Sequence, residues 1–251
     1  MITVGDAAVL LGAGAVAGLI GSAGGITSLV SYPALLAIGL PALSADVANI
    51  VALVGCWPGS ALASGPELEG KRSWLWRWAP LAAGGGAAGA VLLLATSADA
   101  FARIVPFLVA GGSLIFLLEP RLARRRRRNG CDGTLALPAG LLTLSVYNGY
   151  FGAGSGVMIL TMLLVHVDRH LPSANALKNM LLGAASLVPA TIFAISGSVE
   201  WSAAAPLGVG MFAGSSLGPL AARRLPIKIL RLLIAMLGIS LAIQLWLHPN
   251  A

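Results

Sequence analysis

Gly21-Ser22-Ala23-Gly24-Gly25 is a glycine-rich stretch inside apolar sequence, and Gly152-Ala153-Gly154-Ser155-Gly156 repeats its pattern 131 positions later. Glycine has no Cβ atom and adopts backbone conformations that other residues avoid, so each stretch predicts a break in a helix. An N–H group left bare in an apolar environment costs several kcal/mol. We therefore expect both breaks to be buried in protein or to line a wet cavity.

The composition is that of an integral membrane protein. Hydrophobic residues make up 57% of the 251 residues and charged residues only 10%, whereas soluble domains carry about 25% charged residues. Most apolar segments reach the ~17–25 residues that a helix needs to cross a bilayer, but the second and seventh are too short. The pattern predicts an all-α, polytopic transmembrane helical bundle with broken or short helices at the glycine stretches. The apolar segments are Thr3–Ile20, Ile26–Ile38, Ser44–Ala63, Leu75–Ala95, Phe101–Leu118, Thr134–Phe151, Val157–Val167, Ala174–Ile195, Trp201–Ala221 and Ile227–Leu247.

The chain contains two copies of one unit. A shift of 131 residues aligns glycines, prolines and apolar residues of the two halves. The aligned pairs include Gly21 with Gly152, Gly25 with Gly156, Ala45 with Ala176 and Pro58 with Pro189. We therefore divide the chain into a first transmembrane repeat at 1–118, a basic linker at 119–133 and a second transmembrane repeat at 134–251.

Positive charges predict how the two repeats are oriented, because Lys and Arg collect in cytoplasmic loops. If the segments flanking each break enter and leave at one face, the linker and the stretches 65–77, 166–178 and 223–231 share a side and hold 15 of the 16 Lys and Arg residues. If each break lies within one crossing helix, these residues divide about nine to seven. The first arrangement fits better. It predicts an inverted repeat of the kind common in secondary transporters, with both termini outside and the linker in the cytoplasm.

Several classes of function find no support in the sequence. The five arginines at 124–128 fit a cytoplasmic loop, or a contact with anionic lipid, better than nucleic-acid binding. Cys56 and Cys131 do not suggest a disulfide framework. No set of nucleophile, base and orienting group is present, and no cluster suits a metal, so we expect neither enzymatic activity nor a cofactor. The six tryptophans mostly fall near span ends, where aromatic belts form.

Pairs of glycines four residues apart also occur outside the breaks, at 14/18, 85/89, 210/214 and 214/218. This spacing lets membrane helices pack closely, and we interpret these pairs as packing contacts. The two breaks share the spacing but contain more glycine and serine, and a short segment follows each of them. We interpret the breaks as a binding site, with close packing as the alternative. Helices that begin at Gly25 and Gly156 would direct free N–H groups and positive dipole ends at an anion.

Polar residues follow each break along one face of a predicted helix. The first repeat places Asp46, Asn49, Cys56 and Ser60 in this way, and the second places Asn175, Lys178, Asn179, Gly183 and Ser186. Ionisable residues inside spans usually face a pathway, although Lys178 is close enough to its helix start to reach the cytoplasmic surface and Asp46 is placed to interact with its own helix dipole. The predicted substrate-binding residues are Gly21, Ser22, Gly24, Gly25, Asn49, Gly152, Gly154, Ser155, Gly156, Asn175, Lys178 and Asn179.

Three motifs together carry a resemblance that covers nearly the whole chain. They are the first break with Gly39-Leu40-Pro41, the second break with the stretch Ala174-Asn175-Ala176-Leu177-Lys178-Asn179, and the later Val199-Glu200-Trp201. In these motifs the chain resembles the TauE/SafE sulfite exporter family of membrane permeases. The resemblance implies a bacterial inner-membrane transporter of two homologous helical units. It also implies a small sulfur-containing anion as substrate, such as sulfite or an organosulfonate.

The sequence therefore predicts a carrier in the lipid bilayer that binds one small anion between the two breaks and works by alternating access. We expect no nucleic-acid partner. An anion channel is one alternative. A non-transporting membrane scaffold that docks a cytoplasmic partner through the arginines at 121–128 is another. Assembly into a homo-oligomer is compatible with each of these functions.

Overall fold

The computed structural model describes residues 2–111, 114 and 136–222, and within them every regular element is a helix. The predicted all-α fold is therefore confirmed. The arginine-rich linker and the predicted segment Ile227–Leu247 lie outside the described residues. In chain order the helices are α1 Val4–Gly24, α2 Thr27–Ala37, α3 Ala42–Leu53, α4 Cys56–Ala63, α5 Gly65–Leu68, α6 Arg72–Ala95, α7 98–111, α8 Ala136–Tyr150, α9 Ser155–His166, α10 Leu171–Ser196 and α11 Trp201–Ala222.

Four stretches of the described chain are long and apolar enough to cross a membrane: α1, the continuous pair α3–α4, α6 and α10. By contrast α2 has 11 residues and α9 has 12. At a rise of 1.5 Å per residue these helices are about 17 and 18 Å long, well short of the ~30 Å hydrocarbon core. The prediction that the segments after the breaks are too short to span is confirmed.

The helix boundaries at the two breaks differ from the predicted ones. The helix α1 continues through Gly24, and only Gly25 leaves it, with φ of 82°. In the second break residues 151–154 are all outside a helix, and Gly152 and Gly154 have φ of 81° and 78°. The helices α2 and α9 therefore begin at Thr27 and Ser155, not at Gly25 and Gly156. Glycine permits an unwound backbone but does not require one, so the number of glycines overstated the length of the first break.

The predicted helix Ser44–Ala63 is interrupted at Val54 and Gly55. The cause is Pro58, because a proline lacks the N–H that would bond to the carbonyl four residues earlier and its ring clashes with that carbonyl. The carbonyl in question belongs to Val54. The interruption separates α3 from α4 without ending the crossing.

Glycines let the helices of one repeat pack closely against helices of the other. A Cβ atom on Gly14 or Gly18 of α1 would lie 2.2 Å or 2.3 Å from a carbonyl oxygen of α11. In the same way a Cβ atom on Gly89 of α6 would lie 2.1 Å from the carbonyl oxygen of Val146 on α8. The interpretation of these glycines as packing contacts is confirmed. At both interfaces, residues with higher numbers on one helix contact residues with higher numbers on the other. The helix α1 is therefore parallel to α11, and α6 is parallel to α8.

Two contacts place the loop before α6 and the loop before α10 at one face of the bundle. Lys71 forms a salt bridge with Asp168, and the end of α4 lines a crevice together with Leu171 and Pro172 at the start of α10. The Lys71 ammonium and the hydroxyl of Ser173 hold the pKa of the Asp168 carboxyl well below its usual range.

Because α4 ends where α10 begins, α3–α4 and α10 are antiparallel. These helices correspond to each other in the sequence repeat, and an inverted repeat requires them to be antiparallel. The inverted repeat of the whole chain stays a prediction.

Two neighbouring glycines of α6 provide a test of this packing. A Cβ atom on Gly86 would lie 2.0 Å from the carbonyl oxygen of Ala185, whereas one on Gly84 meets nothing within 4 Å. We expect Gly86→Ala to destabilise the protein by about 1–3 kcal/mol through overpacking. We expect Gly84→Ala to stabilise it by about 0.5–1 kcal/mol, because alanine favours a helix interior. Thermal unfolding in detergent measures both, and equal effects of the two substitutions would contradict the packing.

Candidate functional site

The two glycine breaks are in direct backbone contact. A Cβ atom on Gly25 would lie 2.5 Å from the carbonyl carbon of Gly156, and one on Gly156 would lie 2.6 Å from the carbonyl oxygen of Gly25. Only glycine fits at these two positions, and Gly25 also has the positive φ that favours glycine. A valine at either position would push the backbones apart. If such a variant lost activity, the loss would therefore show that the two backbones must lie in close contact. It would not show that either glycine binds a ligand.

A cavity of about 40 Å³ lies beside this contact. Seven of the predicted residues line it, and they come from both breaks and from α10: Gly21, Ser22, Gly25, Gly152, Ser155, Gly156 and Asn179. The other five predicted residues do not line the cavity, namely Gly24, Asn49, Gly154, Asn175 and Lys178. Lining residues that the predicted set lacked are Thr27, Ser28, Leu53, Cys56, Trp57, Ser60, Asn148, Leu182, Gly183 and Ser186.

The first turns of both short helices face this cavity. Thr27 and Ser28 begin α2, Ser155 and Gly156 begin α9, and all four line the cavity. The helix dipole makes the amino end of each helix positive. In the first turn of α9 the amides of Ser155, Val157 and Met158 bond to the carbonyls of Gly152 and Gly154, and in that of α2 the amide of Leu29 bonds to the carbonyl of Ile26. No acidic side chain lines the cavity. The electrostatics of the cavity therefore favour a negatively charged ligand.

The polar stripe of α10 binds the carboxyl end of α1. The Ser22 carbonyl oxygen accepts hydrogen bonds from Asn175 Nδ2 at 2.8 Å and from Asn179 Nδ2 at 3.1 Å. Lys178 Nζ lies 3.2 Å from the Gly21 carbonyl oxygen and 3.4 Å from that of Ser22. These donors satisfy carbonyl groups that a helix end leaves without partners. The hydroxyl of Ser22 is also in use, because it donates to the Gly18 carbonyl at 2.6 Å.

Lys178 is completely buried. The alternative that its side chain reaches the cytoplasmic surface is therefore wrong. The residue lies about two turns into α10, but that part of α10 packs against the break in α1. Within the described residues no acidic side chain forms a salt bridge with Lys178. Its amine is a buried donor beside residues that line the cavity.

Two asparagines hold serines in place on either side of the breaks. Asn49 accepts from Ser31 Oγ at 2.5 Å and donates to Ser28 Oγ at 3.2 Å. Asn148 accepts from Ser155 Oγ at 2.8 Å and donates to Ser186 Oγ at 3.2 Å. Asn49 itself does not line the cavity but positions Ser28, which does. Asn148 borders the second break in the sequence, and its polarity inside an apolar segment was the signal that could have placed it in the site.

The position of Trp57 differs from the prediction for the tryptophans. The sequence predicts that they lie mostly at span ends, but Trp57 lines the cavity. Gly183 makes room for it, because a Cβ atom there would lie 2.3 Å from the indole Cγ. Of the remaining predicted residues, Gly24 ends α1 and Gly154 precedes α9 as its N-cap. These two glycines shape the breaks and do not face the cavity.

Comparison with known proteins agrees with this membrane architecture. The family described as Sulfite exporter TauE/SafE matches residues 7–245. The chain belongs to this family. A "Probable membrane transporter protein" of Haemophilus influenzae is 28% identical over 84% of the chain and 81% of its own length. A second relative, "Probable membrane transporter protein ORF9" of a Sinorhizobium species, is 27% identical over 94% of the chain and 90% of its own length.

No solved structure matches the chain. Its place in the TauE/SafE family makes it a member of a family of membrane transporters and not an enzyme. The apolar helices and these relatives together support a multi-pass membrane protein. The cavity between the breaks is thus the candidate functional site of a TauE/SafE transporter.

The Asn148 network can be tested within a single helix. Asn148→Ala leaves two buried serines without their asparagine partner, and we expect a loss of about 1–3 kcal/mol of stability. Thr143→Ala on the same helix removes an exposed hydroxyl that bonds only to the carbonyl of Ala139, so its effect should stay within about 0.5 kcal/mol. Thermal unfolding in detergent compares the two. A Thr143→Ala loss as large as that of Asn148→Ala would contradict the role of the network.

Proposed function

We propose that this protein carries a small oxyanion, sulfite or a small organosulfonate, across the bacterial inner membrane and binds it in the cavity between the two breaks. The observation that carries the proposal is the convergence of two helix amino ends on one cavity without an acidic lining residue. The positive dipole end of a helix favours binding of anions such as sulfate or phosphate. Here two such ends, from different repeats, meet at one place.

The buried amine of Lys178 supports the same substrate class. An ammonium group without an acidic partner is costly in a low-dielectric interior, and carbonyl oxygens compensate it only in part. An anion in the adjacent cavity would supply the missing negative charge. The charge of the amine and the two helix dipoles would thus all favour binding of the anion. Each of these electrostatic interactions would be weaker in bulk water.

The size of the cavity favours a compact ligand. Its volume of about 40 Å³ leaves room for roughly three water-sized atoms. The three oxygens of sulfite match that scale, as does the head group of a sulfonate. Larger organic parts of a sulfonate would require the surrounding helices to move apart.

The arrangement of the repeats suggests how the anion is released on either side. Secondary transporters with related halves move one half against the other around a site at their interface. In this protein the cavity lies at such an interface, because residues of both repeats line it and the breaks touch at Gly25 and Gly156. We propose alternating access about this contact, with the termini outside and the linker in the cytoplasm.

A lysine substitution tests the proposal. We expect Lys178→Met to weaken sulfite exchange at least about tenfold, since the loss of about 1.4 kcal/mol of charge attraction in a low-dielectric interior already weakens binding tenfold. Lys71→Met is the matched control, because it removes a partly exposed lysine whose salt bridge contributes little. Counterflow of radiolabelled sulfite in proteoliposomes measures both. Full exchange in Lys178→Met, or its failure to saturate in the unmodified protein, would sink the carrier proposal.

A further inference from the structure

Asp46 on α3 is a buried carboxyl group to which the proposed anion site assigns no role. Its relative exposure is 0%, and neither carboxylate oxygen has a hydrogen-bond partner among the residues that the structure describes. An ionised carboxylate without partners is strongly disfavoured in an apolar interior, and such a group takes up a proton instead. Ionisable residues inside membrane spans usually serve a transport pathway. An interaction of Asp46 with its own helix dipole, the alternative that the sequence suggests, does not explain a fully buried side chain.

Within residues 2–111 and 136–222 no cation is paired with Asp46. In this part of the chain Tyr32 on α2 and Tyr147 on α8 interact electrostatically with it. The described helices that pack against α3 include α2, α4, α10 and α11. On α10 the amine of Lys178 is bonded to carbonyls of α1 and interacts electrostatically with Cys56 of α4. Residues 201–222 of α11 include no titratable side chain.

Asp46 is also connected to the cavity. Asn49 lies one helical turn further along α3 and holds Ser28 at the cavity wall. The hydroxyl of Tyr147 donates at 2.8 Å to the carbonyl of Ala153, which lies in the second break. Movement of either break would therefore alter the surroundings of the carboxyl group.

We propose that Asp46 is a proton-binding site that couples anion transport to proton movement. In each cycle its carboxylate takes up one proton from water on one side, forming an O–H bond, and returns it to water on the other side. No electron transfer is involved. This proposal rests on the proposed function and adds the coupling ion to it.

The sign of the coupling follows from electrostatics. A bound anion and an ionised Asp46 would repel each other across a low-dielectric interior. A proton on Asp46 therefore strengthens anion binding, and by linkage the anion strengthens proton binding to the same extent. Proton and anion move in the same direction, and the sum of their two gradients sets the direction of transport.

The first test uses Asp46→Asn in full-length protein in proteoliposomes, with the membrane potential clamped at zero. An inward gradient of one pH unit should raise sulfite accumulation about tenfold for a one-to-one symport, and Asp46→Asn should lose this increase. Asp99→Asn removes an exposed carboxylate and should keep it. Titration of sulfite itself affects both variants alike, so their difference isolates Asp46. An equal response of the two variants would overturn the coupling.

A second measurement separates this proposal from the proposed function. In infrared spectra at neutral pH the unmodified protein and Asp99→Asn should show the carbonyl stretch of a protonated carboxyl group, and Asp46→Asn should lack it. Absence of this band from the unmodified protein would overturn the proton site even if sulfite is transported. Absence of sulfite counterflow from the unmodified protein would contradict the proposed function, while the band would still report on Asp46.

Discussion

The backbone contact between Gly25 and Gly156 is the constraint on which the site depends. Each glycine lies where one helix has ended and the next is beginning, so the contact brings four helix ends together. Two of these ends are amino ends and make the cavity positive. A side chain at either glycine would separate the two repeats at the point where their short helices meet. The requirement for glycine is therefore a requirement of the site and not only of local backbone geometry.

Ending a helix inside a bilayer leaves carbonyl groups that lipid cannot satisfy. At the first break the side chains of α10 supply the donors, with Asn175, Lys178 and Asn179 converging on Gly21 and Ser22. At the second break the chain solves the problem locally. The amides of residues 151 and 152 both bond to the carbonyl of Tyr147, and the Tyr147 hydroxyl bonds to Ala153. The two breaks are related in sequence but are stabilised by different groups.

The sequence predicted the class of fold and seven of the residues that line the cavity, because hydropathy and the glycine repeat act over long stretches. Other features depended on contacts between distant segments. The depth of Lys178 is set by how α10 packs against α1, so a residue near a helix start was buried instead of reaching water. Trp57 lies in the cavity because Gly183, on another helix, leaves space for its ring. The number of glycines also overestimates the length of the first break, because contacts with neighbouring residues decide whether the backbone at a glycine leaves the helix.

The two repeats have divided the ionisable groups between them. A shift of 131 residues places Val47 opposite Lys178 and Leu177 opposite Asp46, so at each of these two positions one repeat has a buried ionisable side chain and the other an apolar one. A single anion that binds near the pseudo-symmetric centre would interact with both, attracted by the amine and repelled by the carboxyl once it loses its proton. Perfect symmetry would have given two amines or two carboxyls, and neither pair would link an anion to a proton in this way. The difference between the repeats at these positions is therefore the feature that would allow the proposed coupling, whereas their shared glycines provide the contact around which the repeats would move.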